Sequence, residues 1–181
     1  MILGLDISTS ITGYTVMDTS GIVQDCSFID FKKCETLFEK ATLIKDRLKE
    51  VFNKFPIEKV FIESSLLSFS GGKSSASVIA TLTKFNGIVS YIVERDFLKS
   101  PEFIMATSAR KLCGIKIVKG VNGQKTKKAK EQVMDHVLIT EKWFIPEYKK
   151  TGKLKDHCFD QVDSFIIAKA GFLKTPLKTG P

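Results

Sequence analysis

The 181-residue sequence lacks the patterns that mark several large protein classes. Its four cysteines form no Cys-x-x-Cys pair or other zinc-type spacing, so we expect reduced and mostly buried thiols. It has no run of about 18 apolar residues, the length that a membrane helix needs. It also has no basic-then-apolar leader at its start. These absences predict a soluble cytoplasmic protein with no membrane association.

Internal repeats and long linkers are absent as well. Apolar residues make up 43% of the chain, which is ordinary for a globular protein and sufficient for a hydrophobic core at this length. We therefore expect one domain over residues 1–173, followed by a flexible tail at 174–181.

Acidic residues are scarce in one part of the chain. The segment 108–155 has 13 Lys and Arg against 4 Asp and Glu, a net charge of +9, and the rest of the chain carries −1. A concentrated basic surface favours a polyanionic partner, most often nucleic acid. A solvated lysine-rich face explains the charge equally well, so charge alone leaves both interpretations open.

Hydrophobic periodicity predicts an α/β fold. Turn signals separate three strands that form an antiparallel meander, and strands then alternate with helices. This order predicts a mixed five-stranded sheet with helices on both faces. The predicted strands are 2–7, 13–18, 22–30, 58–64 and 102–106, and the predicted helices are 36–55, 75–97, 107–114, 126–144 and 157–173. Residues 145–156 are predicted as an exposed connection.

Four carboxylates fall at the ends of predicted elements. Asp6 and Glu63 each end a strand, and Asp160 and Asp163 share one face of the last helix because they lie three residues apart. Converging carboxylates repel one another, and Mg²⁺, which prefers oxygen ligands, relieves that repulsion. Two such ions about 4 Å apart catalyse phosphodiester hydrolysis in many nucleases.

Simpler interpretations exist for most of these residues. Asp160 and Asp163 alone are also typical of helix-surface charges, and Glu63 of a sheet-edge charge. Asp6 is harder to explain, because an ionised carboxylate on a buried strand is costly without a compensating partner. His157, one turn before Asp160, fits a metal ligand or a surface histidine. Phe69 fits either a loop anchor or a stacking group for unpaired bases.

The full set of motifs resembles the RuvC-type Holliday junction resolvases of the ribonuclease H-like superfamily. The resemblance runs from Ile2 to about Leu173 and is nearest to phage and viral members. It is carried by "ILGLDISTSITGYTVMD", "VFIES", "ATSARKLCG", "KGVNGQKTKKAKEQVMDHV" and "FDQVDSFIIAKA". It implies a ribonuclease H-like fold, and an enzyme that nicks opposed strands of a four-way DNA junction as a homodimer during recombination or repair.

The resemblance also implies residue roles. Asp6, Glu63, Asp160 and Asp163 become the ligands of two Mg²⁺ or Mn²⁺ ions, and Lys130 becomes a catalytic basic residue near the scissile phosphate. The expected DNA contacts are Phe69, Lys73, Arg110, Lys111, Lys116, Lys119, Lys125, Lys127 and Lys128. Leu66 stands where bacterial relatives carry a junction-inserting aromatic residue, which leaves either Leu66 or Phe69 as the wedge.

Two other functions remain open from the sequence. One is a related nuclease that acts on replication forks or flaps. The other is a non-catalytic junction-binding protein that keeps the fold. Retention of all four acids argues against the second, because a pure binder gains nothing from negative charge beside phosphates.

Overall fold

The computed structural model describes residues 1–64, 76–119 and 126–174. The first three strands are β1 (Ile2–Asp6), β2 (Ile11–Met17) and β3 (Val23–Asp30), and they form the predicted meander. Strands β4 (Lys59–Glu63) and β5 (Glu102–Ile104) extend the sheet in parallel with β1. The strand order is β3-β2-β1-β4-β5, which confirms the predicted mixed five-stranded sheet.

Within the described residues, five helices cover the two faces of the sheet. They are α1 (Leu37–Lys54), α2 (Ala76–Phe97), α3 (Ala106–Leu112), α4 (Ala129–Thr140) and α5 (His157–Lys174). Alternate residues of β1 enter different cores, because successive side chains of a strand point to opposite faces. Leu3 and Leu5 pack with α1 and α2, whereas Ile2 packs with α3, α4 and α5.

Helix α2 is apolar but incompletely covered. By length and composition alone it is the one helix of the described residues that is long and apolar enough to cross a membrane, a test that core helices of soluble proteins also pass. Only 28% of its most apolar 18-residue stretch is buried. Its buried face comprises Phe85, Asn86, Val89, Ile92 and Val93.

The short elements after α2 differ from the sequence prediction. β5 ends at Ile104, where its ladder with β4 stops, and α3 begins at Ala106. The residue that precedes α3 is Met105, so the predicted Thr or Ser cap is wrong. Helix α4 is shorter than the predicted 126–144. Its first turn is capped where the Glu131 carboxylate accepts a hydrogen bond from the Lys128 amide at 2.7 Å.

The connection before α5 also has more structure than predicted. The chain leaves α4 at Thr140 because it turns to bury Phe144 in the core beside α5. Within 145–156, Tyr148 and Leu154 form an antiparallel bridge, so this exposed connection contains a small hairpin. Residues 175–181, nearly all of the predicted tail, lie outside the described residues.

Candidate active site

The carboxyl ends of β1 and β4 bring the first two acids to one edge of the sheet. These strands are parallel, and their register pairs Leu5 with Ile62. The next step of the register sets Asp6 beside Glu63. Asp6 is only 9% exposed. Two central strands therefore present neighbouring carboxylates at the same end of the sheet.

Helix α5 approaches this edge because β2 carries a glycine there. Gly13 pairs with Asp6 across β1 and β2, and a Cβ on Gly13 would overlap the backbone carbonyl of Asp160. The absence of a side chain thus lets the first turn of α5 lie directly on the sheet. Asp160 and Asp163 are consequently held over the strand ends, and Asp163 is buried with a side chain 7% exposed.

The four carboxylates interact electrostatically. Burial raises the pKa of Asp6 well above its ordinary value, and the charges of Glu63 and Asp163 raise it further. Burial and the charge of Asp163 raise the pKa of Glu63 to about 7. Burial likewise raises the pKa of Asp160 to about 6, although the ammonium of Lys130 opposes that shift. The protein therefore holds a cluster of acids that are costly to ionise without added positive charge.

Lys130 of α4 supplies part of that positive charge. Its Nζ lies 3.0 Å from Oδ2 of Asp163. Burial lowers the pKa of Lys130, but the charges of Asp163, Asp6 and Asp160 outweigh burial and raise it above its ordinary value. The side chain is still 55% exposed, so the ammonium stands at the mouth of the cluster.

The donor chemistry of the cluster fits a hard divalent cation. All four groups are carboxylates, and Mg²⁺ and Mn²⁺ bind through oxygen ligands. Within the described residues, no three Asp, Glu, His or Cys side chains already form a closed metal-binding group. One Asp163 oxygen lies 3.0 Å from the Lys130 ammonium, so that carboxylate already interacts with a cation.

Sequence reasoning missed two residues that shape the site. Gly13 was noticed only as part of a motif, and its contact with α5 depends on packing between distant elements. Asn86 of α2 is 6% exposed, and its Nδ2 donates a hydrogen bond to the Glu63 carbonyl at 3.2 Å. A polar residue on the otherwise apolar face of α2 was the available signal. The Asn86 hydrogen bond connects the end of β4, which carries Glu63, to α2.

The predicted DNA contacts fall into several groups. Arg110, Lys111 and Lys116 line an open groove of about 310 Å³ beside α3. Arg110 also lowers the pKa of Glu63, so this groove adjoins the acidic cluster. Lys119 and Lys128 are exposed. The other expected contacts, Phe69, Lys73 and Lys125, lie outside the described residues, and so does Leu66, the alternative wedge residue.

Two predicted residues are engaged elsewhere. Lys127 Nζ lies 2.6 Å from Oδ2 of Asp135, so its positive charge is paired with a neighbouring carboxylate. The ring of His157 stacks on Phe28 with centroids 4.0 Å apart. Its Nε2 lies 3.3 Å from Oε1 of Glu147. The imidazole is therefore directed towards the connection before α5.

Comparison with solved structures identifies the fold. Thermus thermophilus RuvC in complex with a Holliday junction substrate matches with a TM-score of 0.64 and 14% identity, over 95% of this chain and 92% of that one. Another structure of Thermus thermophilus RuvC matches with a TM-score of 0.58 and 16% identity, over 95% and 93%. The yeast mitochondrial Holliday junction resolvase Ydc2 matches with a TM-score of 0.59 and 13% identity, over 95% and 77%.

Sequence comparison supplies the family. No curated protein matches the chain. The family model described as Lactococcus phage M3 protein (DUF3882) matches residues 1–151, most of the chain. The resemblance to RuvC is thus confirmed at the level of the fold, which is ribonuclease H-like. The chain belongs to the Lactococcus phage M3 protein family.

Proposed function

We propose that this protein is a Holliday junction resolvase, a metal-dependent endonuclease that nicks opposed strands of four-way DNA junctions. The observation that carries the proposal is the cluster of Asp6, Glu63, Asp160 and Asp163 at one sheet edge, in which Asp6 and Asp163 are buried and the Lys130 ammonium lies beside them. Its fold is shared with a RuvC that was solved on a junction. We place the activity in one soluble intracellular domain of about 1–173, in recombination or repair of replication intermediates.

The four carboxylates are the proposed ligands of two Mg²⁺ or Mn²⁺ ions. When bound, such ions activate water and stabilise the charge of the leaving oxygen. Asp6 and Asp163 are buried, so their charges interact more strongly with a cation than they would in water. The raised pKa of Glu63, about 7, means that added positive charge converts a partly protonated group into a full ligand. Lys130 is half exposed, so its ammonium is positioned to offset negative charge on a phosphate that enters the cluster.

The basic groove beside α3 is the proposed entry for the DNA backbone. Arg110, Lys111 and Lys116 line it, and Arg110 is close enough to the cluster to influence Glu63. Phosphate contacts fix the position of DNA without reading its sequence. We extend the proposed contacts to Lys119 and Lys128. Phe69, Lys73 and Lys125 keep the roles implied by the RuvC resemblance, and Lys127 would contact DNA in exchange for its ion pair with Asp135.

Cutting of two opposed strands needs two active sites related by a two-fold axis, and one domain of this size offers one. We propose a homodimer whose seam is α2. This helix is apolar yet largely uncovered, and Tyr91 on it is 66% exposed. Gly87 lies on its exposed surface, where a Cβ would meet nothing within 4 Å. That open position allows close approach of a second backbone.

The test is cleavage of four-way, three-way, flap and linear DNAs of matched sequence. With Mg²⁺ we expect paired nicks on the four-way junction, no cleavage in excess EDTA, and binding without efficient turnover in Ca²⁺. Faster cleavage of flaps or forks would instead identify the protein as a branched-DNA nuclease of another specificity. Junction binding without any cleavage in Mg²⁺ or Mn²⁺ would identify a non-catalytic binder.

A further inference from the structure

Residues 147–155 form a small, well-defined hairpin that lies outside both the acidic cluster and the groove beside α3. Tyr148 bridges to Leu154, and the Lys149 amide donates to the Lys153 carbonyl at 2.7 Å. Gly152 has a φ of 75°, the left-handed conformation that closes a tight three-residue turn. We call residues 147–155 the basic hairpin. Its backbone is fixed by hydrogen bonds, so its side chains project from a defined frame.

The charges of the basic hairpin are sorted between its base and its tip. At the base, Lys155 Nζ lies 2.6 Å from Oε2 of Glu147, and Lys149 Nζ lies 3.0 Å from Oδ2 of Asp156. At the tip, Lys150 and Lys153 are exposed and form no ion pair with the part of the chain that the structure describes. The unbalanced positive charge of the hairpin is therefore concentrated at its tip.

Packing directs that charge outwards. Leu154 packs against the core beside α5. Because successive side chains on an extended segment point to opposite sides, the neighbouring Lys153 points away from the core. The base is also held, since the Glu147 amide donates to Sγ of Cys158 at 3.3 Å.

The sheet register places the base of the basic hairpin near the acidic cluster. The hairpin continues into α5, and His157 at the start of that helix stacks on Phe28. Phe28 pairs with Gly13, and Gly13 pairs with Asp6. The Phe28–His157 ring stack is therefore two strands away from Asp6 at the same level of the sheet. Two strand spacings correspond to about 10 Å. Laterally paired residues share a face, so hairpin and acids are on the same side.

We propose that the basic hairpin is a second phosphate-binding element, which holds a duplex arm of the junction through Lys150 and Lys153. This inference rests on the proposed function, because it assumes that DNA enters at the acidic cluster. Phosphates repeat every 3.4 Å of helix axis on each strand, so an arm that reaches Asp6 has phosphates within reach of a tip a few residues farther out. The hairpin lies on the β3 side of Asp6, whereas the groove beside α3 flanks Glu63. The two basic elements would therefore grip DNA from different sides of the scissile phosphate.

The experiment compares two charge-matched double variants of the full chain. Lys150→Ala with Lys153→Ala removes the tip charges, and Lys49→Ala with Lys54→Ala removes two exposed charges from α1 on the other sheet face. Affinity for a four-way junction is measured at several salt concentrations in Ca²⁺. Because each neutralised phosphate contributes about 0.9 to the log–log salt slope, we expect the tip variant to lower the slope by about 1.8. The α1 variant should keep the parental slope.

Two further measurements separate binding from chemistry. Lys150→Arg with Lys153→Arg should keep the parental slope, because the charges remain. The tip variant should need more protein than the parent for half-maximal nicking in Mg²⁺, whereas the Lys49→Ala with Lys54→Ala variant should nick like the parent. An unchanged slope in the tip variant, with a parental protein that binds and nicks junctions, would overturn the hairpin proposal alone. A parental protein that binds no DNA would overturn the proposed function and the hairpin proposal together.

Discussion

The two faces of the sheet are built in different ways. On the face covered by α1 and α2, large apolar side chains such as Leu5, Ile62 and Phe85 fill the space between layers. On the face covered by α5, glycines at positions 4 and 13 let helix backbone lie against strand backbone. All four candidate metal ligands are at the edge of this second, closely packed face.

The contrast separates what stabilises the fold from what positions the site. Side-chain packing on the α1–α2 face tolerates volume-conserving exchange, as hydrophobic cores generally do. Backbone-to-backbone packing at Gly13 leaves no room for even a methyl group. The positions of the acids therefore depend on the α5 face, which tolerates less added side-chain volume. Substitutions on that face should affect activity most.

The largest expected effect comes from Gly13→Ala. The added Cβ would overlap the Asp160 carbonyl, so α5 must shift away from the sheet. We expect a loss of about 3 kcal/mol in the free energy of unfolding, the upper part of the range for overpacked cores. The nicking rate should fall together with the stability, because the shift of α5 moves Asp160 and Asp163 away from Asp6. Urea unfolding and nicking assays measure both.

Lys49→Ala on α1 is the control for that exchange, because Lys49 is exposed and lies on the other face of the sheet. Exposed substitutions usually change stability by no more than about 0.5 kcal/mol, so unfolding of this variant should require the parental urea concentration. Equal stability of Gly13→Ala and the parent would refute the close approach at Asp160.

A smaller effect is expected from Asn86→Leu, which tests the link between the two faces. The exchange removes the hydrogen bond to the Glu63 carbonyl and leaves that buried acceptor without its donor. Unsatisfied buried groups cost about 1–2 kcal/mol, so unfolding should become easier by that amount. The nicking rate at saturating DNA should fall as the Glu63 strand end loosens. Thr42→Ala, which removes an exposed side-chain hydrogen bond on α1, should nick at the parental rate.

The smallest effect is a pH dependence of stability without divalent ions. Because the pKa of Glu63 is raised to about 7, its protonated form favours the folded state. That contribution is fully present below the unfolded pKa, near 4.5, and is lost as the pH rises through 7. Relative to the Glu63→Gln variant, the Tm of the parental protein should fall by a few degrees between about pH 4.5 and pH 7. Mg²⁺ at pH 7.5 should restore it, and parallel Tm curves for the two proteins would contradict the shift.

Local pattern was sufficient for most of the fold. The apolar periodicity of α1 and the turn signal after Asp18 predicted their elements to within a residue or two. Helix α4 was overestimated because lysine-rich flanks favour helix locally, whereas the Glu131 cap and the burial of Phe144 set its real ends. These determinants are contacts, which periodicity does not report.

In the candidate site, too, local pattern predicted some residues, and others depend on contacts between distant elements. The acids were predicted because Asp6 and Glu63 end strands and Asp160 and Asp163 share a helix face, and the structure brings them together at one sheet edge. Their roles as ligands remain proposals. Gly13 and Asn86 were missed because each acts through a residue more than 20 positions away in the chain. The hairpin at 147–155 was missed because its single bridge is too short to produce a strand pattern.

The most direct test of the metal-site proposal is the Asp6→Asn exchange, measured for nicking, junction affinity and metal-free unfolding, with the exposed Asp46→Asn of α1 as control. The exchange keeps the shape of the side chain and removes the charge that a divalent cation needs. We predict a loss of about a hundredfold or more in nicking rate, roughly 3 kcal/mol of barrier. Junction affinity should persist, and metal-free Tm should rise by about 2–4 °C because a buried like charge is gone. Parental nicking by Asp6→Asn, or joint loss of folding and binding, would contradict the assignment of Asp6 as a metal ligand.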